Sequence, residues 1–240
     1  MGGFELLNDE AEVSRRGVLR AGAWAVPVIA IAASAPVVSA SIEPQCAPIV
    51  LDWAQLFNGS TYVRTSGMLG TATVDDITMT VSAAYGSAVA PNSNSLSLYK
   101  SGVNGGLWLS SANIDGAQST GDFNTDFAQT VTLTFSEQIV NLRFGLTDFD
   151  YAASGAHGEQ ARVVTPLPDS TSQGSWVGGS NDGPYGFHSL YSGNIGSFNA
   201  TGQVHFTFAG PLQSVTFQYV SPRSGGGIDI LPLTFEKASC

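Results

Sequence analysis

Two carboxylates two residues apart, Asp148 and Asp150 in Asp148-Phe149-Asp150, are the side chains whose type and spacing point most directly to chemistry. On an extended strand such a pair lies on one side of the chain, so both could bind a divalent cation. Ca2+ takes about six to eight oxygen ligands, which carbonyls or Asn side chains of the following segment would complete. Ca2+ is therefore the candidate cofactor, with Asp148 and Asp150 as its metal ligands. The alternative use of the pair is loop closure, by accepting backbone N–H bonds or by pairing with Arg162.

The segment after this pair, residues 148–198, has little strand patterning and many Gly, Ser, Asn and Pro, yet it carries Tyr151, Trp176, Tyr185, Phe187, His188 and Tyr191. Aromatic faces stack on the C–H faces of sugars, and neighbouring Asn and Asp accept hydroxyl hydrogens. Trp176, Tyr185 and Tyr191 with Asn181 and Asp182 form the candidate ligand-binding set, with Trp108 beside it; the alternative is that the rings are lids over the core.

Catalytic constellations are harder to assemble. There is no Gly-x-Ser-x-Gly elbow and no His-Glu-x-x-His pattern, and His157, His188 and His205 lack metal-ligand spacing. A glycosidase needs two carboxylates about 5 to 9 Å apart across a cleft. Apart from Glu43 and Glu236 near the ends of the exported part, the glutamates available are Glu137, expected in a tight hairpin turn, and Glu159. No catalytic residue is assigned, and an enzyme is not expected.

The elements that must position these residues are strands. The 240-residue chain is 43% hydrophobic and 12% charged, with 28 Gly; half the usual charge, roughly 25%, fits a secreted β-protein and excludes a charge-rich disordered chain. A net charge of −10 repels nucleic acid and anionic lipid. Period-two alternation recurs throughout, and no long amphipathic helix is offered beyond a turn near Asp52 to Phe57. Leu69 to Val74 and Ile77 to Ala83 flank Asp75-Asp76 as a two-residue hairpin. Two further hairpins match each other: Val131, Leu133, Phe135, Ile139, Leu142 and Phe144 correspond to Val204, Phe206, Phe208, Leu212, Val215 and Phe217. Both are expected in the core of one sandwich, apolar side inward and Thr outward. Gly227 to Phe235 reads as the last strand.

Residues 14–20, Ser-Arg-Arg-Gly-Val-Leu-Arg, precede a weakly apolar stretch from Ala21 to Val38 that ends in Val38-Ser39-Ala40. This resembles a bacterial twin-arginine (Tat) signal peptide of the high-GC Gram-positive style, with Ser14, Arg15, Arg16, Val18, Leu19 and Arg20 matching the motif in order. The resemblance implies the Tat translocase and signal peptidase as partners during export, Arg15 and Arg16 as the export signal, and cleavage after Ala40. The stretch is Ala-rich and interrupted by Pro27 and Pro36, so no stable membrane span is expected. The exported part would hold fifteen acids against six bases. In an oxidising compartment its two cysteines, Cys46 and Cys240, are expected to form a disulfide.

The run Val131 to Ser136, Val140 to Phe144, Asp148-Phe149-Asp150, Arg162-Val163-Val164 and Gly227 to Ile230 resembles extracellular bacterial β-sandwich modules of the jelly-roll or carbohydrate-binding type. The expectation is an all-β, antiparallel, jelly-roll-like β-sandwich over residues 41–240, after a Tat signal peptide over 1–40. It would be secreted or held at the cell surface and bind glycans or cell-envelope material, steadied by calcium. A structural or adhesive surface protein without a small ligand is the alternative, with a glycoside-active enzyme behind it.

Overall fold

The computed structural model describes residues 46–56, 62–101, 104–114, 121–150, 158–191, 193, 195–196, 198–222 and 226–239. They belong to one compact unit, residues 44–240. The export signal (Arg15, Arg16), the cleavage site (Ala40), Tyr151, His157 and Cys240 lie outside the described residues. No described helix is long and apolar enough to cross a membrane.

The fold is all-β and antiparallel, a sandwich whose sheet does not close on itself. The one α-helix among the described residues is a single turn, α1 (Trp53–Leu56), after the short strand β1 (Ile49–Leu51). The edge strand β2 (Tyr62–Ser66) pairs with β3 (Leu69–Val74). Val74 pairs with Ile77, the first residue of β4 (Ile77–Tyr85), across the two-residue turn expected at Asp75-Asp76. Asp75 there has φ +51, the left-handed geometry that such a hairpin turn requires and that Asp tolerates.

β5 (Val89–Pro91), β6 (Ser97–Ser101) and β7 (Asn104–Asn113) follow, and then the strand that organises the molecule, β8 (Ala128–Thr147). The hairpin expected around Glu137 does not form. Ser136-Glu137-Gln138 offers no Gly, Pro or Asn-Gly to reverse the chain, and all twenty residues of β8 run as one strand. What changes is the side-chain parity. Val131, Leu133, Phe135 and Ile139 are buried at odd positions, whereas Leu142, Phe144 and Leu146 are buried at even ones. The flip falls at Asn141, whose φ is +54. An irregularity of this kind lets one strand pass between sheets while its apolar side stays inward.

The second matching segment also forms no hairpin. β13 (Val204–Phe208) and β14 (Leu212–Val220) lie end to end along β8: Phe206 pairs with Phe144, Phe208 with Leu142, Val215 with Leu133 and Phe217 with Val131. The two stretches share a pattern because they are antiparallel neighbours lining one core. Thr lies on the outer side as expected, with Thr132 and Thr216 hydroxyls 2.9 Å apart.

The first half of β8 lies between β14 and β4. Its second half lies between β13 and two C-terminal strands, β15 (Gly227–Ile230) and β16 (Leu233–Lys237). The single last strand expected over Gly227 to Phe235 is thus divided at Leu231-Pro232, since Pro lacks the N–H a continuing ladder needs. The inner faces meet in aromatic contacts: Phe144 lies 5.8 Å from Phe217, and Phe135 lies 5.3 Å from Phe235, ring centre to ring centre. The segment after β8 contains β9 (Gln160–Thr165), formed on the Arg162-Val163-Val164 run, and beyond it more order than its pattern suggests, with β10 (Ser170–Gln173), β11 (Val177–Gly179) and β12 (Phe187–Ser189). Strands of three or four residues are too short to show alternation.

Candidate functional site

Cross-strand partners in an antiparallel ladder share a face, so the register of β13, β8 and β16 specifies which side chains stand together outside the core. Arg143 pairs with Thr207 on one side and Thr234 on the other. One step along, Gly145 pairs with His205, and its carbonyl accepts the Leu231 N–H at 2.9 Å. A glycine inside a strand lets a neighbour approach closely; here the His205 ring and the Leu231 side chain do so, 2.7 and 2.9 Å from where a Cβ would stand, and all three help line a groove. Arg143, Gly145, His205, Thr207, Leu231, Pro232 and Thr234 line a hollow of about 420 Å³.

A second hollow of about 220 Å³, lined by Asp52, Asn104, Gly105, Phe198, Gln203, Leu231 and Pro232, shares Leu231 and Pro232 with the first. His205 links the two from the other side. Its Nε2 donates to Gln203 Oε1 at 3.0 Å, leaving Nδ1 as the acceptor over Gly145. Burial holds the imidazole below the ordinary histidine range, so it is neutral at pH 7. The shared wall is held by buried Trp53, whose Nε1 donates to the Leu231 carbonyl at 3.0 Å. Asp52, the one carboxylate among these lining residues, caps α1 by accepting the Ala54 N–H at 2.9 Å. The groove thus offers a cation, two hydroxyls, an imidazole acceptor, two amides and the apolar surfaces of Phe198 and Pro232.

The carboxylates read first from the sequence lie elsewhere. β8 ends at Thr147, and the next residue, Asp148, has φ +70 and turns the chain away. Asp148 and Asp150 are both buried. Asp150 closes the loop in the way weighed above: its Oδ1 accepts the Ile195 N–H at 2.8 Å, and its own N–H donates to Glu159 Oε2 at 2.9 Å. Glu159 is 1% exposed, and its Oε1 meets the Tyr219 hydroxyl at 2.9 Å. Burial raises the Glu159 pKa well above the carboxylate range, and the nearby Asp150 and Asp148 add to the rise against the hydrogen bonds from Asp150 and Tyr219. Burial likewise raises the Tyr219 pKa. Among the described residues no three His, Cys, Asp or Glu side chains are grouped to hold a metal ion. Arg162 turns to Gln218 Oε1, at 3.1 and 3.0 Å, and lies 4.2 Å over the Phe123 ring. Glu137 lies on β8 beside Lys237, at 3.2 Å.

The loop aromatics come together in pairs. Trp176 and Tyr191 stack at 4.4 Å and 15°, and Tyr185 meets His188 edge-on at 5.7 Å. Asn181 is taken up by the scaffold: its Oδ1 accepts the Val163 N–H at 2.6 Å and its Nδ2 donates to the Val163 carbonyl at 2.9 Å. It continues along β9 where β12, paired only with Gln160 and Ala161, has stopped. Asp182 is exposed beside it. Trp108 is on β7, opposite Asp229 of β15.

The sequence reading missed Arg143, Thr207, Thr234, Gln203, Asn104 and Phe198. The available signal was Gly145, a glycine between Phe144 and Leu146 in the middle of a strand, where the close approach of a neighbouring group is a standing reason for its presence; that group is the His205 ring. Comparison with protein-family models, with curated proteins and with solved structures finds no match.

Proposed function

We propose that this chain is an exported, non-catalytic binding module and that the groove over Gly145 takes a glycan. The joined hollows around Leu231 and Pro232 carry this reading, because they combine what a sugar chain needs: hydroxyl and amide partners spaced along a trough, and small apolar patches for C–H faces. The stacked Trp176 and Tyr191 extend the aromatic surface available on the β11–β12 side. The twin-arginine run and the low charge support export. A Cys46–Cys240 bridge belongs to the same reading, since Cys46 Sγ lies 3.0 Å from the carbonyl of Lys237, three residues before Cys240.

Isothermal titration of the secreted protein with soluble cell-wall and environmental polysaccharides tests the proposal. Binding that weakens at least about tenfold in Asn104→Ala, Gln203→Ala supports the groove; binding to no polysaccharide, or full affinity in the double variant, overturns it. Running each titration in EDTA and in millimolar Ca2+ addresses the cation. The expected result is equal affinity, because Asp150 is already engaged in loop closure. A calcium requirement lost in Asp148→Asn, Asp150→Asn would assign a cation to that pair.

A further inference from the structure

We propose that the Arg143 end of the groove selects glycans bearing a carboxylate, such as uronate-containing chains; this rests on the glycan reading of the groove. Three observations converge on Arg143. It stands at the centre of a row across three strands, flanked by the Thr207 and Thr234 side chains, so a guanidinium and two hydroxyls face one hollow. It makes no ion pair among the described residues, in contrast to Lys237, which pairs with Asp76 and Glu137. No carboxylate lines its hollow; Asp52, which lines the adjoining one, is occupied in capping α1.

A guanidinium presents parallel N–H donors that match a carboxylate bidentately, and charge-assisted bonds of this kind are about twice as strong as neutral ones. The rest of the molecule restricts the class further. With a net charge of −10, the protein repels densely charged polyanions over a Debye length of about 8 to 10 Å. A single carboxylate within an otherwise neutral chain reaches Arg143 with a much smaller penalty. His205, neutral and packed against Gly145, lines the same hollow without adding a second charge to it.

The test titrates wild type and Arg143→Gln with a uronate-containing oligosaccharide, its carboxyl-reduced neutral counterpart and a sulfate-ester oligosaccharide, at low and high salt. Wild type is expected to prefer the uronate over the reduced form by at least about tenfold, with the preference shrinking as salt rises. In Arg143→Gln the ratio should fall close to one, and Arg143→Lys should restore only part of it. Equal wild-type affinity for the acidic and reduced forms, or a ratio that survives in Arg143→Gln, overturns carboxylate selection while leaving the glycan groove standing. A stronger preference for the sulfate ester also overturns it. Failure to bind any of the three, or any polysaccharide, removes the groove reading and this one together.

Discussion

Glu159 ties the end of β8 to the core through two contacts, the Asp150 N–H on one oxygen and the Tyr219 hydroxyl on the other. Its folded-state pKa is raised above the unfolded one of about 4.3. The folded protein therefore holds a proton that the unfolded chain releases. The stability linked to this proton is complete below about pH 4.3 and is lost as pH rises toward and through the folded value, with a slope of at most about 1.4 kcal/mol per pH unit. Gln is the neutral isostere of the protonated acid, its Oε1 free to accept the Asp150 N–H and its Nε2 to donate to Tyr219. Glu159→Gln should flatten that decline and raise the melting temperature at pH 8 relative to wild type; melts from pH 4 to 8 check it. Parallel pH profiles for the two proteins would mean that Glu159 ionises normally. Sequence alone showed a glutamate nine residues beyond Asp150; that Glu159 is buried against Tyr219 depends on β9 and β14 being neighbours.

Among elements, β9 shows how side chains finish a ladder. Its outer edge is covered by β12 only at Gln160 and Ala161, and the Asn181 carboxamide serves Val163 in place of a strand. Asn181→Ala should leave both backbone groups of Val163 without that partner and cost about 1 to 3 kcal/mol, a fall of roughly 2 to 10 °C in melting temperature. Glycan affinity should not change, because Asn181 is not part of the groove. Calorimetry and titration on one preparation separate the two effects; loss of affinity without loss of stability would return Asn181 to the ligand set. Asn181 and Asp182 look equivalent in sequence, two polar residues among aromatics, and only the position of β9 distinguishes them.

For the whole molecule, the proposed Cys46–Cys240 bridge would join the segment entering β1 to the segment that follows β16. Non-reduced, denatured protein should react with no thiol reagent, and reduction or Cys46→Ser should cost about 2 to 5 kcal/mol, roughly 5 to 15 °C in melting temperature. Two reactive thiols in the denatured, non-reduced protein would exclude the bridge. β1 pairs with β16 through Ile49 opposite Phe235 and Leu51 opposite Leu233, so opening the bridge is expected to loosen this pair before the β8 centre.

What the sequence determined by itself is local. Alternation with a period of two made the chain all-β and sorted Phe206 and Phe208 inward from Thr207 outward, because neighbours on a strand point to opposite faces whatever lies beside them. The turn at Asp75-Asp76 was equally legible, since two residues with the right backbone freedom suffice to make it. The tertiary structure decided what depends on residues far apart in the chain. The shared pattern around Phe135 and Phe208 was compatible with two hairpins or with two strands side by side, and packing against one core settled on a β8 that continues past Glu137. The groove is of the same kind: Arg143, Thr207 and Thr234 come from three strands, and only cross-strand register sets them in a row, one step from Gly145 and the His205 ring packed on it.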